Sequence, residues 1–154
     1  MGLPALGNAM RRACAWLTDV AQVKTEQLTV ESSTHHSVYA NWKGAIRGEY
    51  SAATKQWDFF CPVWHTGQAV KALLMAYDVL KEQSLLASAV NGAEFILHQQ
   101  HTPGRDAGLI VAYEELPGLV CLSAILESLY GLYLLSRTTG ESRYAESASA
   151  AMKW

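Results

Sequence analysis

Apolar residues recur at helical spacing along most of the chain. From Asn8 to about Lys24 they fall at Met10, Ala13, Cys14, Leu17, Val20 and Ala21, one face of a 3.6-residue helix. Val70, Leu73, Leu74, Tyr77 and Leu80 mark a second helix, and Leu86, Ala89, Val90, Ala93, Ile96 and Leu97 a third, with Ser84 as its expected N-cap. A fourth segment is apolar almost all round (Ile125, Leu126, Leu129, Tyr130, Leu132, Tyr133, Leu134), the pattern of a helix buried on most sides. Gly140 breaks the chain, and a fifth helix follows. The predicted spans are 8–24, 64–82, 84–100, 118–137 and 141–154. Only Ala45–Tyr50 and Gln56–Phe60 read as strands, a short β-hairpin around Ser51–Lys55.

The connections at 82–84 and 138–141 are tight, and a tight turn makes antiparallel neighbours. The long connections, about 25–61 and 101–117, then lie together at the opposite end. Long ordered loops on a rigid helical scaffold commonly carry function. A weak internal repeat supports a stacked array. Tyr77 matches Tyr133 and Lys81 matches Arg137 at a spacing of 56, and Leu86-Ala87 matches Tyr144-Ala145 at 58. The expected fold class is all-α, antiparallel helical hairpins in one domain over 1–154, with a short β-hairpin in the 45–60 loop.

Composition narrows the functional classes. Half the residues are hydrophobic and 17% are charged, which suits a packed core and argues against disorder. A net charge of −2 leaves no electrostatic footprint for nucleic acid or an anionic membrane. No apolar run approaches the ~18 residues of a membrane span, and the first residues lack the charge and apolar pattern of a secretory signal. Three scattered cysteines make neither a disulfide framework nor a C-x-x-C clip, so a reducing, cytoplasmic setting is expected. No cofactor is implied.

The long loops hold the candidate chemistry. Residues 39–64 carry seven of the chain's fifteen aromatics, with Glu49 and Asp58 interleaved and Arg47 and His65 close by. The second loop adds Arg105, Asp106, Tyr113, Glu114 and Glu115. A pyranose stacks an apolar face on Trp or Tyr, and its hydroxyls need acceptors and donors. Glycosyl chemistry uses pairs of carboxyl groups. Glu49, Asp58, Glu114 and His65 are therefore the acid/base candidates. Trp42, Trp57, Trp64 and Tyr113 are the stacking candidates, and Arg47 and Arg105 the candidates for a substrate carboxylate. The plainer reading of the same residues is a local core under a long loop with solvated acids. Arg47 and Glu49, two apart, read equally as a clamp or an ion pair. Cys61, four residues before His65, forms a conceivable Cys–His nucleophile without further support. His98, His101, His35, His36 and Cys61 supply zinc-type ligands, but no spacing fixes them, and no metal is expected.

Two stretches, PVWHTGQAVKALLMAYDVLKEQSLLASAVNGAEFILHQQ and LVCLSAILESLYGLYLLSRTTGESRYAESASAAMKW, resemble the (α/α) toroids of the six-hairpin glycosidase and sugar-epimerase superfamily. The phrase LYLLSRTTGESRYAESA is similar to the toroid turn in which Thr-Gly separates an inner from an outer helix. The resemblance implies a partial (α/α)6 toroid and carbohydrate chemistry: a hydrolase, lyase or epimerase acting on an acidic or unsaturated saccharide. It carries over no catalytic residue. A six-hairpin toroid needs about twice this length, so the expectation is a piece of a longer product, with an apolar seam across the fourth and fifth helices prone to self-association. The alternative is a helical-repeat binding or assembly module without catalysis.

Overall fold

The computed structural model describes residues 3–28, 39–58, 61–112 and 119–154. Among them are five α-helices, one π-helical segment and one two-stranded antiparallel sheet: α1 (Leu3–Ala15), the π-segment (Trp16–Ala21), β1 (Glu49–Ser51), β2 (Gln56–Asp58), α2 (Pro62–Leu80), α3 (Gln83–His98), α4 (Leu122–Thr139) and α5 (Ser142–Lys153). The molecule is mostly helical, as its periodicity predicts. No helix among the described residues is long and apolar enough to cross a membrane.

Two helical hairpins stack side by side. In the first, α2 turns back into α3 through Lys81, a left-handed C-cap whose N–H bonds Tyr77 O. In the second, α4 turns into α5 through left-handed Gly140, whose N–H bonds Ser136 O. Thr138 and Thr139 send their hydroxyls to Leu134 O and Leu135 O four residues back, within the helical last turn that ends at Thr139. Helices α2 and α4 form the inner layer and run parallel. Ser128 donates to Val63 O, Lys71 pairs with Glu127, and Gly131 lies against Val70. Helices α3 and α5 form the outer layer. Tyr39 of the first long connection donates to Val111 O of the second at 2.8 Å, so their described parts meet at the end away from the tight turns.

The repeat is real, but its register differs from the one read in the sequence. Structurally equivalent positions are 59 apart, not 56 or 58. Lys81 and Gly140 are the two left-handed caps. Leu85 matches Tyr144, Ser88 matches Ser147 and Ala89 matches Ala148, all buried. On the inner helices Ala69 matches Ser128, Leu73 matches Leu132 and Ala76 matches Leu135, again all buried. Matching by residue type misplaced the register because the caps, Lys and Gly, share a conformation and not a side chain.

Other expectations also shift. The first helix begins at Leu3 and passes into π geometry at Trp16, with Gln22 N–H bonded to Leu17 O five residues back. The third starts at Gln83 after Glu82, so Ser84 lies inside it and caps nothing. The fourth starts at Leu122. The strands are shorter than expected, three residues each. On α4 the exposed apolar residues are Leu122, Leu126 and Tyr130; α5 turns Tyr144, Ala148 and Ala151 inward and leaves Met152 exposed near its end, beside exposed Trp154.

Candidate functional site

The β-hairpin is an insertion in the first repeat, between Ile46 and α2. Its strands pair Glu49 with Asp58, Tyr50 with Trp57 and Ser51 with Gln56, and Lys55 closes the turn in the left-handed region. Opposed residues of an antiparallel pair share a face, and successive residues alternate. One face therefore carries Glu49 and Asp58, and the other carries Tyr50 and Trp57. The structure brings two of the predicted carboxylates to one register position. It places Glu49 and Trp57 on opposite faces, not around one ring. Asp58 is described by its backbone.

The aromatic face packs inward. The Trp57 ring lies 5.1 Å from Tyr50 and 5.8 Å from Trp16 of the π-segment, with the Arg47 guanidinium 5.8 Å over it. Trp57 is buried beneath them, while Trp16 and Tyr50 remain about half exposed. Sequence reasoning did not single out these two. Tyr50 meets Trp57 through a register one residue off the one that a turn at Ser51–Lys55 implies, and the place of Trp16 depends on the π-turn.

Arg47 is committed to the fold. Its backbone N–H bonds Ala21 O, and its guanidinium reaches Val20 O at 2.8 Å and Gln22 O at 3.4 Å. It thus places positive charge on the carbonyl end of the π-segment, where a cation is favoured. Trp42 corrects another expectation. It is 2% exposed, set edge-on to Tyr39 at 5.1 Å and stacked near Phe95 at 6.3 Å. With both neighbours in the core, it offers no face to a sugar.

Pro62 occupies the first position of α2, where its missing N–H costs nothing. Cys61 before it is fully buried and left-handed, φ 48°. Its thiol is therefore covered from solvent, and the Cys–His nucleophile finds no support. Trp64 and His65 follow in the first turn, their rings stacked at 6.1 Å and 14°. The Trp64 indole N–H is buried and has no acceptor among the described residues. Arg105 is exposed on the turn between left-handed Gly104 and Gly108. Tyr113, Glu114 and Glu115 lie outside the described residues.

Three clefts open elsewhere. One of about 400 Å³ is bounded by Tyr39, His98, His101 and Val111 where the two long connections meet. A second, about 610 Å³, lies between the end of α3, the 101–108 segment and α5. A third, about 460 Å³, separates the C-terminal halves of α2 and α4. Glu49, His65 and Trp57 line none of these three. Among the described residues no group of three His, Cys, Asp or Glu side chains is placed to hold a metal.

The most strongly perturbed charges join α3 to α5. Arg143 pairs with Glu94 through its two terminal guanidinium nitrogens, and Tyr144 donates to the same carboxylate at 2.7 Å. Burial works against the charged form of Glu94, but the bonds from Arg143 and Tyr144 outweigh it and hold its pKa below the ordinary value. Burial and the neighbouring carboxylate push the Tyr144 phenol up. The side chains sit on the outer layer and fasten the hairpins together.

Comparison with known protein families, with curated proteins and with solved structures finds no match to this chain.

Proposed function

We propose that the chain is a carbohydrate-active protein built as part of an (α/α) toroid, glycoside hydrolase-like or a related lyase or epimerase, acting on an acidic or unsaturated saccharide. The observation that carries this reading is the hairpin register that sets Glu49 directly opposite Asp58. Opposed Cα atoms of an antiparallel pair stand about 4.5–5.5 Å apart. From there two carboxyl groups can reach the ~5–5.5 Å separation that retaining glycoside hydrolysis uses. One acts as acid and base, the other as nucleophile. Only five residues separate Asp58 from Trp64, a half-buried ring stacked on His65 whose N–H has no acceptor among the described residues. Trp64 is the stacking candidate that stays in play, and Tyr50 and Trp16 add a second aromatic surface. With Arg47 engaged on backbone carbonyls, Arg105 is the candidate to meet a uronate carboxylate, while Glu114 remains an acid/base candidate and Tyr113 a stacking candidate.

A second reading is a helical-repeat binding module without catalysis. It is favoured by the burial of Trp42 and Trp57, which removes two stacking candidates. One experiment separates the two. The purified chain is incubated with saturated and unsaturated uronate-containing oligosaccharides, following new reducing ends and loss of unsaturated-uronide absorbance. The first reading expects turnover that falls at least about 100-fold in Glu49→Gln and Asp58→Asn with the melting temperature preserved. Binding without turnover supports the module. Neither binding nor turnover overturns the saccharide assignment.

A further inference from the structure

The two repeats build one backbone frame and finish it differently. In the first, Val23 N–H bonds Ala45 O, Gly44 N–H bonds Val23 O, and Arg47 N–H bonds Ala21 O. In the second, His101 N–H bonds Leu109 O, Gly108 N–H bonds His101 O, and Val111 N–H bonds Gln99 O. Val20, Ala21, Gln22 and Val23 are therefore matched by His98, Gln99, Gln100 and His101, and Arg47 by Val111. Of the four, only the glutamine that bonds the neighbouring outer helix is kept. The other three change from apolar to hydrogen-bonding side chains, so the frame itself does not require them.

In the first repeat an arginine finishes the frame. Its guanidinium lies on Val20 O at 2.8 Å and Gln22 O at 3.4 Å, carbonyls left over where the helix ends. In the second repeat the matching carbonyls belong to His98 and Gln100, at the end of α3. The Val111 side chain has no donor to give them, and nothing else among the described residues donates to either. The matching place is the cleft of about 400 Å³ bounded by Tyr39, His98, Gln99, Gln100, His101 and Val111. Tyr39 and Val111 are joined by a hydrogen bond at 2.8 Å, so this chain's own two connections wall it.

Gln99 supplies a third acceptor. It is 8% exposed, its Nε2 donates to Phe95 O at 3.1 Å, and its Oε1 accepts nothing among the described residues. These acceptors stand at the carbonyl end of a helix, where positive charge is favoured. No Lys, Arg, Asp or Glu among the described residues lines the cleft. A hard metal ion calls for carboxylates and an anion for cationic donors. Planar N–H donors that carry a positive charge match what is there.

We propose that this cleft binds a guanidinium group brought by a ligand, in the place where Arg47 supplies one in the first repeat. It does not rest on the saccharide reading. Titration of the purified chain with ethylguanidinium, followed by NMR of side-chain amides and imidazoles, tests it. The expected result is saturable binding at roughly millimolar concentration, as suits so small a probe, with shifts at His98, Gln99 and His101. Ethylurea, planar but uncharged, should bind at least about tenfold more weakly. Gln99→Leu should weaken binding about fivefold. Val111→Arg copies the first repeat, and should abolish binding without lowering the melting temperature. N-acetylarginine amide separates two sources: binding like that of ethylguanidinium fits an arginine side chain, and its exclusion fits a small free guanidinium compound. Either supports the proposal. No saturable shift with ethylguanidinium, equal binding of ethylurea, or native-like binding in Val111→Arg overturns it.

Discussion

Gln22 and Gln100 make the same pair of hydrogen bonds in successive repeats. The Gln22 amide donates to Gly44 O and Ser88 O, and the Gln100 amide to Gly108 O and Ser147 O. Gly44 and Gly108 are both left-handed, and a Cβ on either would run into the outer-helix carbonyl of Asn91 or Ala150. Each glutamine thus clamps a glycine turn onto an outer helix. Gln22→Ala and Gln100→Ala are each expected to cost about 1–3 kcal/mol, two hydrogen bonds at roughly 1 kcal/mol with some added for unsatisfied carbonyls. Gln22, nearly fully buried, should cost more. Gly44→Ala and Gly108→Ala should cost more still, since they add a clash to a disfavoured φ. Urea melts of the four variants check the order.

The Glu49–Asp58 register predicts opposite effects on stability and activity. Like charges directly opposed across two strands destabilise the pair by about 0.2–1 kcal/mol. Glu49→Gln should therefore raise the melting temperature slightly, most clearly at low ionic strength, while removing turnover. A lower melting temperature in Glu49→Gln would mean that the carboxylate supports the hairpin, and would count against its use in catalysis.

The Glu94–Arg143–Tyr144 cluster sets a pH window. The folded pKa of Glu94 lies below its ordinary 4.5, so its contribution is full above that value and is lost as pH falls through the folded pKa. The folded pKa of Tyr144 lies above its ordinary 10.0, so its contribution is full below that value and is lost as pH rises through the folded pKa. Stability measured by urea melts should decline on the acid side below about pH 4.5 and on the alkaline side above about pH 10. Glu94→Gln should flatten the acid decline, with Arg143 keeping Glu141 as its ion-pair partner. An unchanged acid slope in that variant would assign the loss to other carboxylates.

The helices were legible because burial at 3.6-residue spacing is a local signal, and the tight turns told which helices are antiparallel. The repeat register was harder to read. The first unit separates Gln22 from Gly44 by 22 residues and the second separates Gln100 from Gly108 by eight. The matching devices therefore fall at different offsets from the helices they serve. The β-hairpin is a further insertion in the first unit only. The hairpin itself was legible from turn signals at Ser51–Lys55, but its register, which sets Glu49 opposite Asp58, was not, and neither were the fates of Arg47 and Trp42. Each has a partner brought from far along the chain, the Val20 carbonyl for one and the Phe95 ring for the other. No local pattern separates a buried loop tryptophan from an exposed one.

The contact between α2 and α4 depends on glycine at its closest point. A Cβ on Gly67 would lie 2.7 Å from both Cα and Oγ of Ser128 and 2.9 Å from its nitrogen, so backbone would have to move. Gly67→Ala is therefore expected to cost about 2–3 kcal/mol by overpacking, enough to lower the melting temperature by several degrees. Gly131→Ala should cost less. Its Cβ would meet Val70 Cγ1 at 3.1 Å, a side-chain atom able to yield, though Gly67 O stands at 3.3 Å behind it. Gly7→Ala is the control. Its Cβ would meet nothing nearer than the flexible end of Arg11 at 3.8 Å. There the helical preference of alanine should add about 0.5–1 kcal/mol. Thermal melts of the three variants rank them. If Gly67→Ala melts with the native chain, α2 and α4 tolerate a wider spacing than their contact implies.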